Sequence, residues 1–150
     1  MRDAHYVNSH DVLINYNKMN KTILITGSIL GILSIVLGAF GAHALKELIP
    51  FELQLTFETG VRYQMYHALL LLFVGSNQLL QLKTKKIIYG LVVIGLLFFS
   101  GSIYGLATNA LTAFNFKTIG FITPIGGLLL ILAWILMFID FVKNRLKNDD

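Results

Sequence analysis

Four long stretches without a single charge constrain this chain more than any other feature: residues 22–42, 63–82, 87–108 and 118–139 contain no Asp, Glu, Lys or Arg. A helix rises about 1.5 Å per residue, so roughly 20 apolar residues cross the roughly 30 Å hydrocarbon core of a bilayer. A soluble core helix also needs apolar residues, but it interrupts them with a polar face every three or four positions. No such interruption occurs within these runs. A membrane barrel would need about eight strands of alternating polarity, and the runs do not alternate. Lipid offers no partner to a backbone N–H or C=O, so internally bonded helices remain. The expected fold is all-α, an integral membrane four-helix bundle occupying residues 19–150 as one domain. Composition agrees, with 55% hydrophobic and 13% charged residues, against about 45–50% and about 25% in soluble chains.

Orientation follows from the basic residues, which resist translocation. Arg2, Lys18 and Lys21 precede the first run, Lys83, Lys85 and Lys86 join the second to the third, and Lys143, Arg145 and Lys147 follow the fourth. Those are nine of the 12; only Lys46, Arg62 and Lys117 fall in the other two connections. Both termini are therefore expected in the cytoplasm. The formal net charge of +4 reads as anchoring to anionic headgroups, not as a nucleic-acid surface, because the basic residues sit beside the spans. The expected partners are the lipid bilayer and a second copy or other membrane proteins, with no nucleic acid. The chain has no cysteine, which removes disulfides and thiolate chemistry.

Residues 1–18 are polar and show no apolar period, so they read as a disordered cytoplasmic tail. Met19 stands directly before Asn20, Lys21 and the first run, a natural start that would leave residues 1–18 as an extension. Ala42-His43-Ala44 has the small-x-small pattern of a signal-peptidase site, but a run of about 20 residues is longer than the 7–15 of a signal peptide. The connection over residues 46–62 mixes Glu47, Glu52 and Glu58 with Leu48, Phe51, Leu55 and Phe57. With Pro50 suited to a first turn, it predicts a short amphipathic helix lying on the outer surface.

Gly27, Gly31, Ser34, Gly38 and Gly41 recur at steps of four and three and share one helix face; Gly101 and Gly105 repeat the spacing. Small residues let membrane helices approach closely. That face suits tight packing within one chain or pairing with a copy, and spacing does not separate the two.

The polar residues of the spans form the candidate cluster: His43, Glu58, Arg62, Tyr63, Gln64, His67, Ser100, Ser102, Tyr104 and Thr123. Tyr63 and Gln64 share a helix face with His67, and Glu58 and Arg62 are spaced to pair. In a compact bundle these groups would meet in one polar layer near the outer leaflet, with His67 one turn below the surface. Two histidines separated by a loop fall short of a metal site. No triad, P-loop or dinucleotide fingerprint is present, so neither cofactor nor catalytic residue is expected.

Several strings are more specific. Gly38-Ala-Phe-Gly-Ala-His-Ala-Leu-Lys46, Phe57-Glu-Thr-Gly-Val-Arg-Tyr-Gln-Met-Tyr-His-Ala-Leu69, Phe98-Phe-Ser-Gly-Ser-Ile-Tyr104 and Thr123-Pro-Ile-Gly-Gly127 resemble the signature of the YgdD/YwdK-like family of small inner-membrane proteins of unknown function. The resemblance covers about residues 20–140. It implies four spanning helices in a bacterial plasma membrane, and it favours a start at Met19, since members begin close to the first span. It brings no activity, substrate or catalytic residue. The expectation is a non-enzymatic membrane protein with a packing or association role. The alternative is a small proton-coupled carrier using the polar layer.

Overall fold

A computed structural model describes residues 9–148, and among them only helices and turns occur. Helix α1 spans Ser9–His43, α2 Phe51–Ser76, α3 Leu82–Ala107 and α4 Ile122–Asn148. Short 3-10 turns at Leu45–Glu47, Asn109–Leu111 and Phe116–Ile119 lie in the two connections at one end. The main packing runs in chain order: α1 on α2, α2 on α3, α3 on α4. The central pair is thus flanked by two outer helices, which show their apolar surface to lipid through residues such as Ile35 and Phe138.

The all-α membrane bundle is the architecture the uncharged runs demand, but its boundaries differ from theirs. The expected tail is helical from Ser9 onward, while residues 1–8 lie outside the described residues. Its helicity has a cause: Tyr16 and Asn20 accept hydrogen bonds from Lys85 of α3, at 3.0 and 2.8 Å. The second run splits. Helix α2 ends at Ser76, and Asn77 Oδ1 accepts the N–H groups of Leu79 and Leu80, a side-chain turn that the apolar Leu79-Leu80 pair conceals in sequence. Helix α3 then starts at Leu82 instead of residue 87, so its lysines belong to its first turns. Helix α4 starts at Ile122 instead of residue 118.

The amphipathic stretch between the first two runs is helical, but it is no separate surface helix. After the 3-10 turn at Leu45–Glu47, Pro50 occupies the N-cap position and the chain runs unbroken from Phe51 to Ser76. Pro50 supplies a carbonyl that accepts from Leu53 and Gln54, and Gln54 Nε2 donates back to the carbonyls of Lys46 and Ile49. The first turns of α2 are therefore locked to the preceding loop. Leu45, Ile49, Phe57 and Ala107 bury beneath it as a small core.

Helices α1, α3 and α4 are each long and apolar enough to cross a membrane. Helix α2 is long enough, at 26 residues, yet carries Arg62, Gln64 and His67. It is one of the central pair, packed by α1 and α3, and Gln64 and His67 are buried there, away from lipid, whereas Arg62 is exposed.

The helix crossings are made by glycine. Gly27 lies where a Cβ would stand 3.0 Å from the Ala68 carbonyl oxygen, and one at Gly41 would stand 3.1 Å from the Phe57 ring. Ser34 is buried between them and donates to the Val61 carbonyl at 2.9 Å. The glycine face of α1 is thus used inside the chain, against α2. Gly105 packs on Phe116, whereas Gly101 has nothing within 4 Å and belongs to no crossing. Gly60, Gly75 and Gly95, which lack a repeated spacing, are tightly packed: their Cβ atoms would meet Tyr104, Leu24 and Leu130 at 2.7, 2.8 and 2.7 Å.

Candidate functional site

Most of the candidate residues are engaged in hydrogen bonds to one another or to backbone carbonyls. They divide into separate bonds between helices, each explained by where its helix faces. Gln64, 6% exposed, bridges three helices: its Nε2 donates to the Leu30 carbonyl of α1 at 2.9 Å, and its Oε1 accepts from Tyr104 of α3 at 3.0 Å. Ser100 donates to the Gly60 carbonyl at 2.9 Å, joining α3 to α2 at their glycine crossing. Ser102 meets Thr123 at 2.7 Å across α3 and α4 and also donates to the carbonyls of Phe98 and Phe99. His43 ends α1 in an exposed position, apart from all of these.

His67 is 4% exposed and faces α4. Trp134 Nε1 lies 3.3 Å from its Nε2, and the Tyr63 carbonyl lies 2.8 Å from its Nδ1. Indole can only donate, so Nε2 accepts and the ring proton sits on Nδ1, which donates to the carbonyl. Both nitrogens of a neutral imidazole are engaged. The residue lies well inside α2. It stands 16 residues into a continuous α2, about 24 Å from its start, near mid-helix. A side groove of about 240 Å³ opens beside it, lined by Tyr63, Phe99, Leu130 and Trp134.

Glu58 and Arg62 pair as their spacing suggests, with Arg62 Nη2 2.6 Å and Nε 3.1 Å from Glu58 Oε1. About half of each side chain is exposed. They border a second groove of about 370 Å³ between the end of α1 and the start of α2, with Gly38, Gly41 and Ala42 on its α1 side.

Two buried charges at the opposite end were missed. Lys85, fully buried, donates to Tyr16 and Asn20 and stands 4.6 Å over the Tyr16 ring. Tyr16 in turn donates to the Asn77 carbonyl. Asp140, 5% exposed, accepts from the Gln81 N–H and the Thr84 hydroxyl at 3.0 and 2.9 Å, capping the start of α3 from α4. Lys85 hides in a basic cluster that reads as a loop. Asp140 carries a readable signal, as the lone acid between Phe138-Ile139 and Phe141-Val142. Among the described residues, no three of His, Asp and Glu gather in one place.

The chain is similar to known proteins over most of its length. Residues 37–127 match the family model described as "Protein of unknown function (DUF423)". The UPF0382 membrane protein YwdK of Bacillus subtilis is 37% identical over 125 residues, 82% of this chain and 98% of that protein. The UPF0382 membrane protein SH2409 of Staphylococcus haemolyticus is 36% identical over 123 residues, 82% of this chain and 97% of its own. The UPF0382 inner membrane protein YgdD of Escherichia coli is 30% identical over 132 residues, covering 86% and 95%. No solved structure matches. The signature strings, the apolar helices and these relatives agree, and the chain belongs to the DUF423 family, that of the UPF0382 membrane proteins.

Proposed function

We propose that this chain is a non-enzymatic protein that crosses a bacterial plasma membrane four times, with both termini in the cytoplasm, and associates through its outer end with other membrane components. The observation that carries the reading is how its polar groups are spent. Among the described residues, no buried side-chain nitrogen or oxygen lacks a hydrogen-bond partner, and Gln64, Ser34, Ser100 and His67 each tie one helix to another. A nucleophile needs a base within hydrogen-bond reach. The buried serines instead hold backbone carbonyls. A carrier needs polar groups along one path, and here Glu58 with Arg62 borders the α1 groove while His67 faces α4. The basic residues support the orientation, and α2, about 39 Å long, supports a fourth crossing.

The absence of cysteine makes topology testable with single labels. Glu47→Cys and Ala113→Cys are expected to react with an impermeant maleimide on intact cells, and Lys83→Cys only after permeabilisation. The reverse pattern overturns the orientation, and equal reactivity at positions 47 and 83 overturns the crossing by α2. His67→Leu is expected to leave membrane levels and growth across pH unchanged. A pH-dependent growth defect at normal protein level would restore the carrier.

A further inference from the structure

We propose that the groove between α1 and α2 holds the headgroup of one outer-leaflet phospholipid that bears a primary ammonium, with Arg62 taking the phosphate and Glu58 the ammonium. The proposal rests on the orientation given under Proposed function, which sets this end on the outer side.

Depth is the first support. Glu58 and Arg62 lie 18 and 14 residues before Ser76, the inner end of α2, so they stand about 27 and 21 Å up a hydrocarbon core roughly 30 Å thick. Side chains on a helix lean toward its N-terminus, which for α2 is the outer end. Long charged side chains there reach the headgroup level while their stems stay in lipid.

The second support is the way the two charges pair. Both bonds from Arg62 converge on a single oxygen, Glu58 Oε1. A guanidinium carries five N–H groups and a carboxylate two accepting oxygens. Glu58 Oε2 and three N–H groups of Arg62, including both on Nη1, are therefore uncommitted among the described residues. The pair presents a cation and an anion side by side, each with free bonding capacity, which complements a phosphate joined to an ammonium by a short linker. A quaternary ammonium has no N–H to donate to Oε2, and a glycerol headgroup has no positive charge.

The groove gives this pair room. Gly38, Gly41 and Ala42 line the α1 side, and the volume of about 370 Å³ falls in the usual range of about 300–1,000 Å³ for small-molecule sites. Phe51 and Leu55 border the same groove and are largely exposed, so an acyl chain leaving the headgroup finds an apolar wall.

The test uses the full chain, purified in detergent and stripped of lipid, then offered dioleoyl phosphatidylethanolamine, phosphatidylcholine or phosphatidylglycerol separately, with bound lipid counted by native mass spectrometry. One phosphatidylethanolamine per chain is expected, preferred on the order of tenfold, the worth of about one charge-assisted hydrogen bond. Arg62→Gln is expected to lose retention of all three lipids. Glu58→Gln is expected to retain lipid but lose the preference for the ammonium. Lys46→Gln, at a basic residue outside the groove, is expected to behave as the native chain. Equal retention of the three lipids, a preference for phosphatidylglycerol, or an equal loss in Lys46→Gln and Arg62→Gln overturns the proposal. Cysteine labelling tests the orientation independently, so correct labelling without lipid preference sinks the lipid site alone.

Discussion

Replacing Gly126 by Ala is expected to lower the thermal stability of the detergent-solubilised protein sharply, and replacing its neighbour Gly127 by Ala is not. At Gly126 the α4 backbone lies directly on that of α3: an added Cβ would stand 2.8 Å from both the Gly95 carbonyl oxygen and the Phe98 carbonyl carbon, and would also press on the Phe99 nitrogen. These are main-chain atoms, so no rotamer change relieves the overlap and the helices must separate. Overpacking costs about 1–3 kcal/mol, occasionally more, and rigid backbone on both sides places this case at the upper end. Separation also pulls Ser102 from Thr123, which meet at 2.7 Å three residues away on α4. At Gly127 the added Cβ would meet only the Phe99 ring, at 3.5 Å, an ordinary contact. Gly101→Ala supplies a second control, because open space surrounds it and alanine is the better helix former by about 1 kcal/mol. Unfolding curves of the three variants decide the matter. Equal midpoints for Gly126→Ala and Gly127→Ala would show that the crossing is not set by this contact.

The glycines show what the sequence discloses and what it withholds. A regular spacing identified the α1 face because five small residues lie on one stripe of one helix. Gly126, Gly60 and Gly95 serve crossings whose partner is remote in sequence, and a single glycine does not announce which helix it will meet. Gly101 shows the converse: it keeps the spacing relative to Gly105, yet it faces away from every neighbour. Three of the four long helices, α1, α3 and α4, were legible as apolar enough to cross because lipid demands an uncharged run of a set length. Span ends were not, because they depend on side-chain bonds such as Asn77 to Leu79 and Leu80, which cost the sequence one unremarkable asparagine. The polar residues of the runs were visible in the sequence, but their bonding partners on other helices were not. The start of α2 at Phe51, and not at Tyr63, puts His67 near mid-helix, a boundary set by Pro50 and by Gln54 bonding back to the loop that hydropathy alone does not reveal.

Asp140→Ala is expected to destabilise the inner end by about 1–3 kcal/mol, because it strips a part-buried N–H and a part-buried hydroxyl of their charged acceptor. The start of α3 is a poor place for lysines, since the unpaired N–H groups there carry the positive end of the helix dipole, yet Lys83, Lys85 and Lys86 all fall within its first turns. Asp140 is the acid that offsets them. It reaches from α4 to accept from Gln81 and Thr84, so the same carboxylate caps one helix and pins another. Asp140→Asn separates the two contributions. Its amide oxygen still accepts from Gln81 N–H, and its amide nitrogen donates to the Thr84 hydroxyl, which can serve as either partner. Only the charge is lost, at about 0.3–1 kcal/mol for a site at a helix end. Thermal unfolding in detergent is therefore expected to rank native, Asn and Ala in that order, with the larger step between Asn and Ala. Limited proteolysis after Lys83 is expected to follow the same order, since release of the cap frees the α2–α3 connection. If Asn proves as damaging as Ala, charge rather than hydrogen bonding holds this end together, and buried Lys85, with no carboxylate within 4 Å among the described residues, becomes the group whose field Asp140 answers.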